Sequence, residues 1–137
     1  MHRTVERMLR TSPESSFASP DSLSACIHAC IECAQVCTAC ADACTGEHER
    51  HLDHCIRVNL DCADVCTMAS RVLSRQQSPD LTLVALVVEL CAEACQICAA
   101  ECGRHAAQYP HCYICASACH RCHEACRMMS GARYLSH

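Results

Sequence analysis

Six cysteines stand at positions 26, 30, 33, 37, 40 and 44 of a 137-residue chain, separated by steps of alternately four and three. That rhythm is the a/d repeat of a helix whose buried seam recurs every 3.5 residues. Here the seam is sulfur, and a deprotonated thiol is the ligand of soft metal ions. The row returns in Cys91, Cys95, Cys98 and Cys102, and again in Cys112, Cys115, Cys119, Cys122 and Cys126. A sparser version runs Cys55, Cys62, Cys66, which completes the chain's eighteen cysteines. At ~1.5 Å of rise per residue, the first row alone makes a strip of sulfur roughly 27 Å long.

Spacing narrows the metal. Zinc takes four ligands in a tetrahedron, and structural sites bring them as two pairs from separate turns. The C-x-x-C pairs of this chain, such as Cys30/Cys33, Cys95/Cys98 and Cys112/Cys115, instead lie inside continuous helical rows. The ferredoxin run C-x2-C-x2-C-x3-C does not occur. Cu(I) is content with two or three bridging thiolates, so an unbroken row suits it best. One Cu(I) per thiolate also leaves a neutral core, whereas an unpaired buried thiolate is costly. Capacity then approaches one ion per cysteine, on the order of 15–20 for the chain, with protons released on uptake. A zinc reservoir, and a redox- or metal-responsive switch that forms disulfides along the rows, are the rival readings.

Other chemistries fit less well. Cys119-His120-Arg121-Cys122-His123 matches the c-type haem attachment signal, but it sits in the middle of a row, and so many Cys and His make a chance match. No cleft or orienting third group singles out a nucleophile, so no enzyme is expected. A secreted disulfide framework needs an export signal, and Met1–Ser19 holds no apolar run of signal type. The expected setting is therefore the cytoplasm. Net charge is −4, with eleven Arg, no Lys and no basic stripe, which points away from nucleic acid and anionic membrane. No run of eighteen apolar residues suggests a membrane span.

The elements that must position these rows are punctuated clearly. Ser19-Pro20-Asp21 and Ser78-Pro79-Asp80 both read as a Ser N-cap, Pro at the first helical position and an acid in the positive first turn. Pro110 opens a further start, and Gly46 reads as the residue that ends the first long helix. Helices are expected at about 20–45, 47–75, 79–107 and 110–130, as one bundle domain over 19–131. Residues 1–18 form an arm with a short helix over Val5–Arg10. Short connections force neighbours to run antiparallel, so the fold class is all-α, an up-down-up-down four-helix bundle with a Cys-lined core. In that topology Leu23, Leu73, Leu81, Val84, Val88 and Met129 gather as an apolar plug at one end. The other end collects Cys40, Cys44, His48, His51, Cys102, His105, His111 and Cys112, a mouth at which metal enters. His28, His54, His120 and His123 lie off the rows and read as solvated. Asn59 occupies a seam position and needs a polar partner. Leu83, Leu86, Leu90, Ala94 and Ile97 form a second apolar stripe on the third helix, whose expected use is oligomerisation.

With its six-Cys row and its three further rows, the chain resembles the bacterial cytosolic copper storage proteins, a group of Cys-rich four-helix bundles, over about residues 20–130. The resemblance implies storage of many Cu(I) ions by the core thiolates and protection against copper toxicity. It also implies a homotetramer. Beyond copper ions, a copper chaperone is the further partner that a storage role would call for. Histidines near the open end would assist, by position His105 and His111, with Asn59 and Asp61 as minor polar groups.

Overall fold

The computed structural model describes residues 2–14 and 17–131, and the described residues form helices joined by short turns, with no strand among them. A short helix α1 (His2–Arg10) precedes four long ones: α2 (Pro20–Glu47), α3 (Asp53–Ser74), α4 (Leu81–His105) and α5 (Pro110–Gly131). Each long helix packs on two neighbours, α2 on α3 and α5, and α4 on α3 and α5. Sulfur pairs give the directions. Cys26 meets Cys126, Cys33 meets Cys119 and Cys44 meets Cys112, so α2 and α5 run antiparallel. Cys66 meets Cys91 while Cys55 meets Cys102, so α3 and α4 do the same. Across the middle, Cys30, Cys33 and Cys37 reach Cys91, Cys95 and Cys98 in the same order, so α2 and α4 point the same way. This is the up-down-up-down bundle.

Helix ends depart from expectation in instructive ways. Ser19 caps α2 as predicted, its hydroxyl accepting from the Ser22 N–H at 3.3 Å, with Pro20 in the first turn. Gly46 does not end α2. The helix runs through Glu47, and His48 takes the left-handed position (φ 57°), its N–H reaching the Thr45 carbonyl. A side chain other than Gly supplies the αL turn, so composition misdirected the boundary. The predicted helix 47–75 is also split. A 3-10 turn at Arg50–Leu52 precedes α3, which removes His48 and His51 from the helical seam. Ser78 is not the second cap: it lies at φ 50°, and Asp80 caps α4 by accepting from the Leu83 N–H at 3.0 Å. A carboxylate two residues on competes successfully for the orphan donors.

The core is built mainly from thiols. All eighteen cysteines are buried and none is in a disulfide. Beyond Cys26 and Cys126 the bundle closes with Leu23, Leu73, Val84, Val88 and Met129, all buried; Leu81 is only half-buried. The arm adds Leu9, which is buried against this end, and Arg10 ties α1 to Asp21 of α2 at 2.8 Å. By length and composition α2 and α4 are apolar enough to cross a membrane. In the bundle their regularly spaced cysteines are all buried in the common core.

Candidate metal centre

Thiols line the axis from one end of the bundle to the other, most of them touching at least one other sulfur. From the plugged end, Cys26 lies 3.8 Å from Cys126, and Cys30 lies 3.7 Å from Cys91 and 3.8 Å from Cys122. Cys66 joins at 3.8 Å from Cys91 and 3.6 Å from Cys95. Cys33 then touches Cys95, Cys119 and Cys37, and Cys62 touches Cys66 and Cys95, all at 3.8–4.0 Å. Cys37 follows at 3.6–3.9 Å from Cys119, Cys115 and Cys98. Near the mouth stand Cys98 and Cys102, Cys55 and Cys102, Cys40 and Cys44, and Cys44 and Cys112. Four sulfurs repeatedly converge within 4.8 Å of one another, as in Cys30, Cys91, Cys122 and Cys126, or Cys33, Cys62, Cys66 and Cys95. Helical spacing produces this: steps of three and four keep successive Sγ atoms on one face, and four such faces meet at the axis.

Asn59 interrupts the sulfur. It is fully buried on α3, where the row skips a cysteine. Its Nδ2 donates to the Cys55 carbonyl at 2.8 Å and to the Cys55 and Cys102 sulfurs at 3.4 and 3.5 Å. Its Oδ1 accepts from Cys115 at 2.9 Å, Cys98 at 3.3 Å and Cys102 at 3.7 Å. The amide thus finds both a backbone partner and the thiols of three helices. Asp61 stands elsewhere: it is exposed on α3, its carboxylate held by the Arg57 guanidinium at 3.0 Å, and the structure does not join it to Asn59 and the mouth thiols.

The mouth carries rings and carboxylates. His111 Nδ1 faces Cys40, Cys44 and Cys112 at 3.6, 3.8 and 3.6 Å, while its Nε2 lies 3.0 Å from Glu47 Oε2. His105 Nε2 lies 3.1 Å from Glu101, a carboxylate almost fully buried. His51 packs on His105 with centroids 5.7 Å apart, and Tyr109 lies between His51 and His111 at 6.0 and 5.6 Å. The Tyr109 hydroxyl meets His51 Nε2 at 3.3 Å. His48 is exposed in the turn; His54 and His120 are exposed, whereas His123 is half-buried with Nδ1 3.0 Å from the Ala92 carbonyl. Burial pushes the Cys44 thiol above its usual range, with the Cys55 charge adding to it. Cys112 is raised for the same reason, burial first and then Cys44. A metal ion must therefore displace protons there.

Sequence reasoning did not single out Glu47, Glu101 or Tyr109. Glu101 and His105 are four apart on one helix, a spacing that was legible. Glu47 meets His111 only through the tertiary fold, and no local pattern announces it.

Comparison with known proteins accounts for this arrangement. The sequence model of the copper storage protein family (Csp) matches residues 19–131. The chain belongs to the copper storage protein family. Among solved structures, the copper storage protein Ccsp from Streptomyces lividans, loaded with 10 copper equivalents, is 41% identical, with a TM-score of 0.89 over 93% of this chain and 98% of that one. A structure described as copper loading to a cytosolic copper storage protein from Streptomyces lividans, with five coppers, is 44% identical over 81% of this chain and 93% of that one, with a TM-score of 0.78. A curated relative, the uncharacterized cysteine-rich protein YhjQ of Bacillus subtilis (strain 168), is 43% identical over 44 residues, or 32% of this chain; the match spans 39% of that relative's length.

Proposed function

We propose that this copper storage family member sequesters many Cu(I) ions per chain on its core thiolates, in the cytosol, and thereby protects against copper toxicity. The observation that carries the reading is the succession of buried free thiols along the bundle, from the pair Cys26 and Cys126 through the contacts of Cys30, Cys33 and Cys37 to Cys44 and Cys112, with touching sulfurs 3.6–4.0 Å apart. No single tetrahedral site needs so many, and bridged Cu(I) uses them all. The ligands are the eighteen cysteines, with His111 and His105 at the mouth and Asn59 beside the row; exposed, Arg-paired Asp61 is left out. The role is binding rather than catalysis, with a copper chaperone as donor. Membership of the family and the cytosolic, copper-loaded relatives support this reading over a zinc reservoir or a thiol switch.

The same reading makes the molecule a homo-oligomer, a tetramer by the family resemblance, because α4 turns a row of leucines outward. Anaerobic titration of the reduced protein with Cu(I) against a chromogenic chelator tests the storage role. Uptake of more than about ten ions per chain is expected from the thiol count, and saturation below about four overturns storage. In His105→Ala, uptake should slow more than capacity falls, as befits a residue of the mouth.

A further inference from the structure

The converging groups deep in the core, such as Cys30, Cys91, Cys122 and Cys126, are all sulfur, whereas the mouth group Cys40, Cys44, Cys112 and His111 carries a nitrogen. Three cysteines and one histidine are one of the donor sets of structural zinc sites, beside four cysteines and the Cys2His2 set. The spacing agrees. With metal–sulfur and metal–nitrogen bonds of about 2.3 and 2.0–2.1 Å, a tetrahedron has S···S edges of about 3.8 Å and S···N edges of about 3.6 Å. Here Cys44 lies 4.0 Å from Cys40 and 3.8 Å from Cys112, and His111 Nδ1 lies 3.6, 3.8 and 3.6 Å from the three sulfurs.

The second coordination sphere is in place as well. A carboxylate only accepts, so Glu47 at 3.0 Å keeps the proton on His111 Nε2 and leaves the Nδ1 lone pair aimed at the sulfurs. A carboxylate behind the imidazole is the usual support of a zinc-bound histidine. Charge favours a divalent ion: three thiolates with one Zn(II) leave −1, with one Cu(I) −2. Cu(I) is content with two or three donors, whereas Zn(II) takes four in a tetrahedron.

We propose that Cys40, Cys44, Cys112 and His111 form a discrete tetrahedral site for one zinc-class divalent ion per chain, with Glu47 as its positioning residue. An ion there lies across the mouth, above the all-sulfur core. Cu(I), the softer ion, displaces it as the core fills.

Co(II) is the probe, since tetrahedral thiolate coordination gives it intense visible ligand-field bands. Titration of the reduced apo-protein without oxygen should saturate at one Co(II) per chain, and one Zn(II) should bleach the bands. His111→Ala should change the spectrum, Cys33→Ser deep in the core should not, and Glu47→Gln should weaken Zn(II) binding about 10–100-fold while Cu(I) capacity stays the same. Helical content by circular dichroism identifies any variant that fails to fold. Saturation at several Co(II) ions, or bands indifferent to His111→Ala but lost in Cys33→Ser, overturns the proposal. Cu(I) titration of the same samples separates the two readings. Full Cu(I) capacity without the Co(II) site defeats only this inference, and a Co(II) site without Cu(I) capacity defeats only storage.

Discussion

Asn59 shows how one residue imposes order on an otherwise uniform sulfur core. Each buried polar group must find a partner, and this amide satisfies a backbone carbonyl and four thiols at once. Truncation to alanine leaves Cys115 and Cys98 without their amide acceptor, with only weaker sulfur partners, and opens a void at the centre. Asn59→Ala should therefore destabilise the apo-protein by about 1–3 kcal/mol, measured as a lower urea midpoint with unchanged slope. An unchanged midpoint would show that the thiols rotate to serve one another. At this scale the sequence was most informative for cysteine, because a helical period of 3.5 admits few other meanings. It was least informative for Glu47, whose partner His111 is brought near by α5 packing on α2 and not by any local spacing.

Helix positions were legible wherever periodicity runs long, and the boundaries were decided by details that composition hides. Ser19-Pro20-Asp21 and Ser78-Pro79-Asp80 are the same tripeptide, yet the first caps with its serine and the second with its aspartate. The difference lies in the backbone: Ser78 sits at φ 50°, and the chain turns there before the helix begins. Loss of the cap in Asp80→Ala should cost about 1 kcal/mol of stability, while Ser78→Ala should change little, both read by thermal unfolding of the reduced apo-protein. The reverse ranking would assign the cap to Ser78. The first helix of the arm was expected to be shorter than it is, and the split before α3 was missed, because Glu47–Leu52 has helix-forming residues and carries no proline or interior glycine to mark a break.

At the scale of the whole molecule, the inner faces and the outer faces of the bundle are apolar for different reasons. The inner faces are thiols, whose use is metal. Leu83, Leu86, Leu90 and Ile97 on α4 are 56%, 58%, 49% and 50% exposed, so a sulfur-lined interior does not account for them. They follow one another at steps of three, four and seven, which is the spacing of a seam that packs against another helix. Full burial of one such side chain is worth about 1.5–3 kcal/mol, so four from each of two facing helices suffice to favour association once interfaces pair. The double variant Leu86→Glu with Leu90→Glu places two like charges on that seam. Light scattering during size exclusion should find the natural chain as an oligomer and this variant as a smaller species, with Cu(I) capacity per chain unaltered because no sulfur is touched. A monomeric natural chain would sink the assembly reading. An oligomer that survives the double substitution would move the interface to another face, and the exposed Tyr113 and Ile114 of α5 would be the next residues to charge.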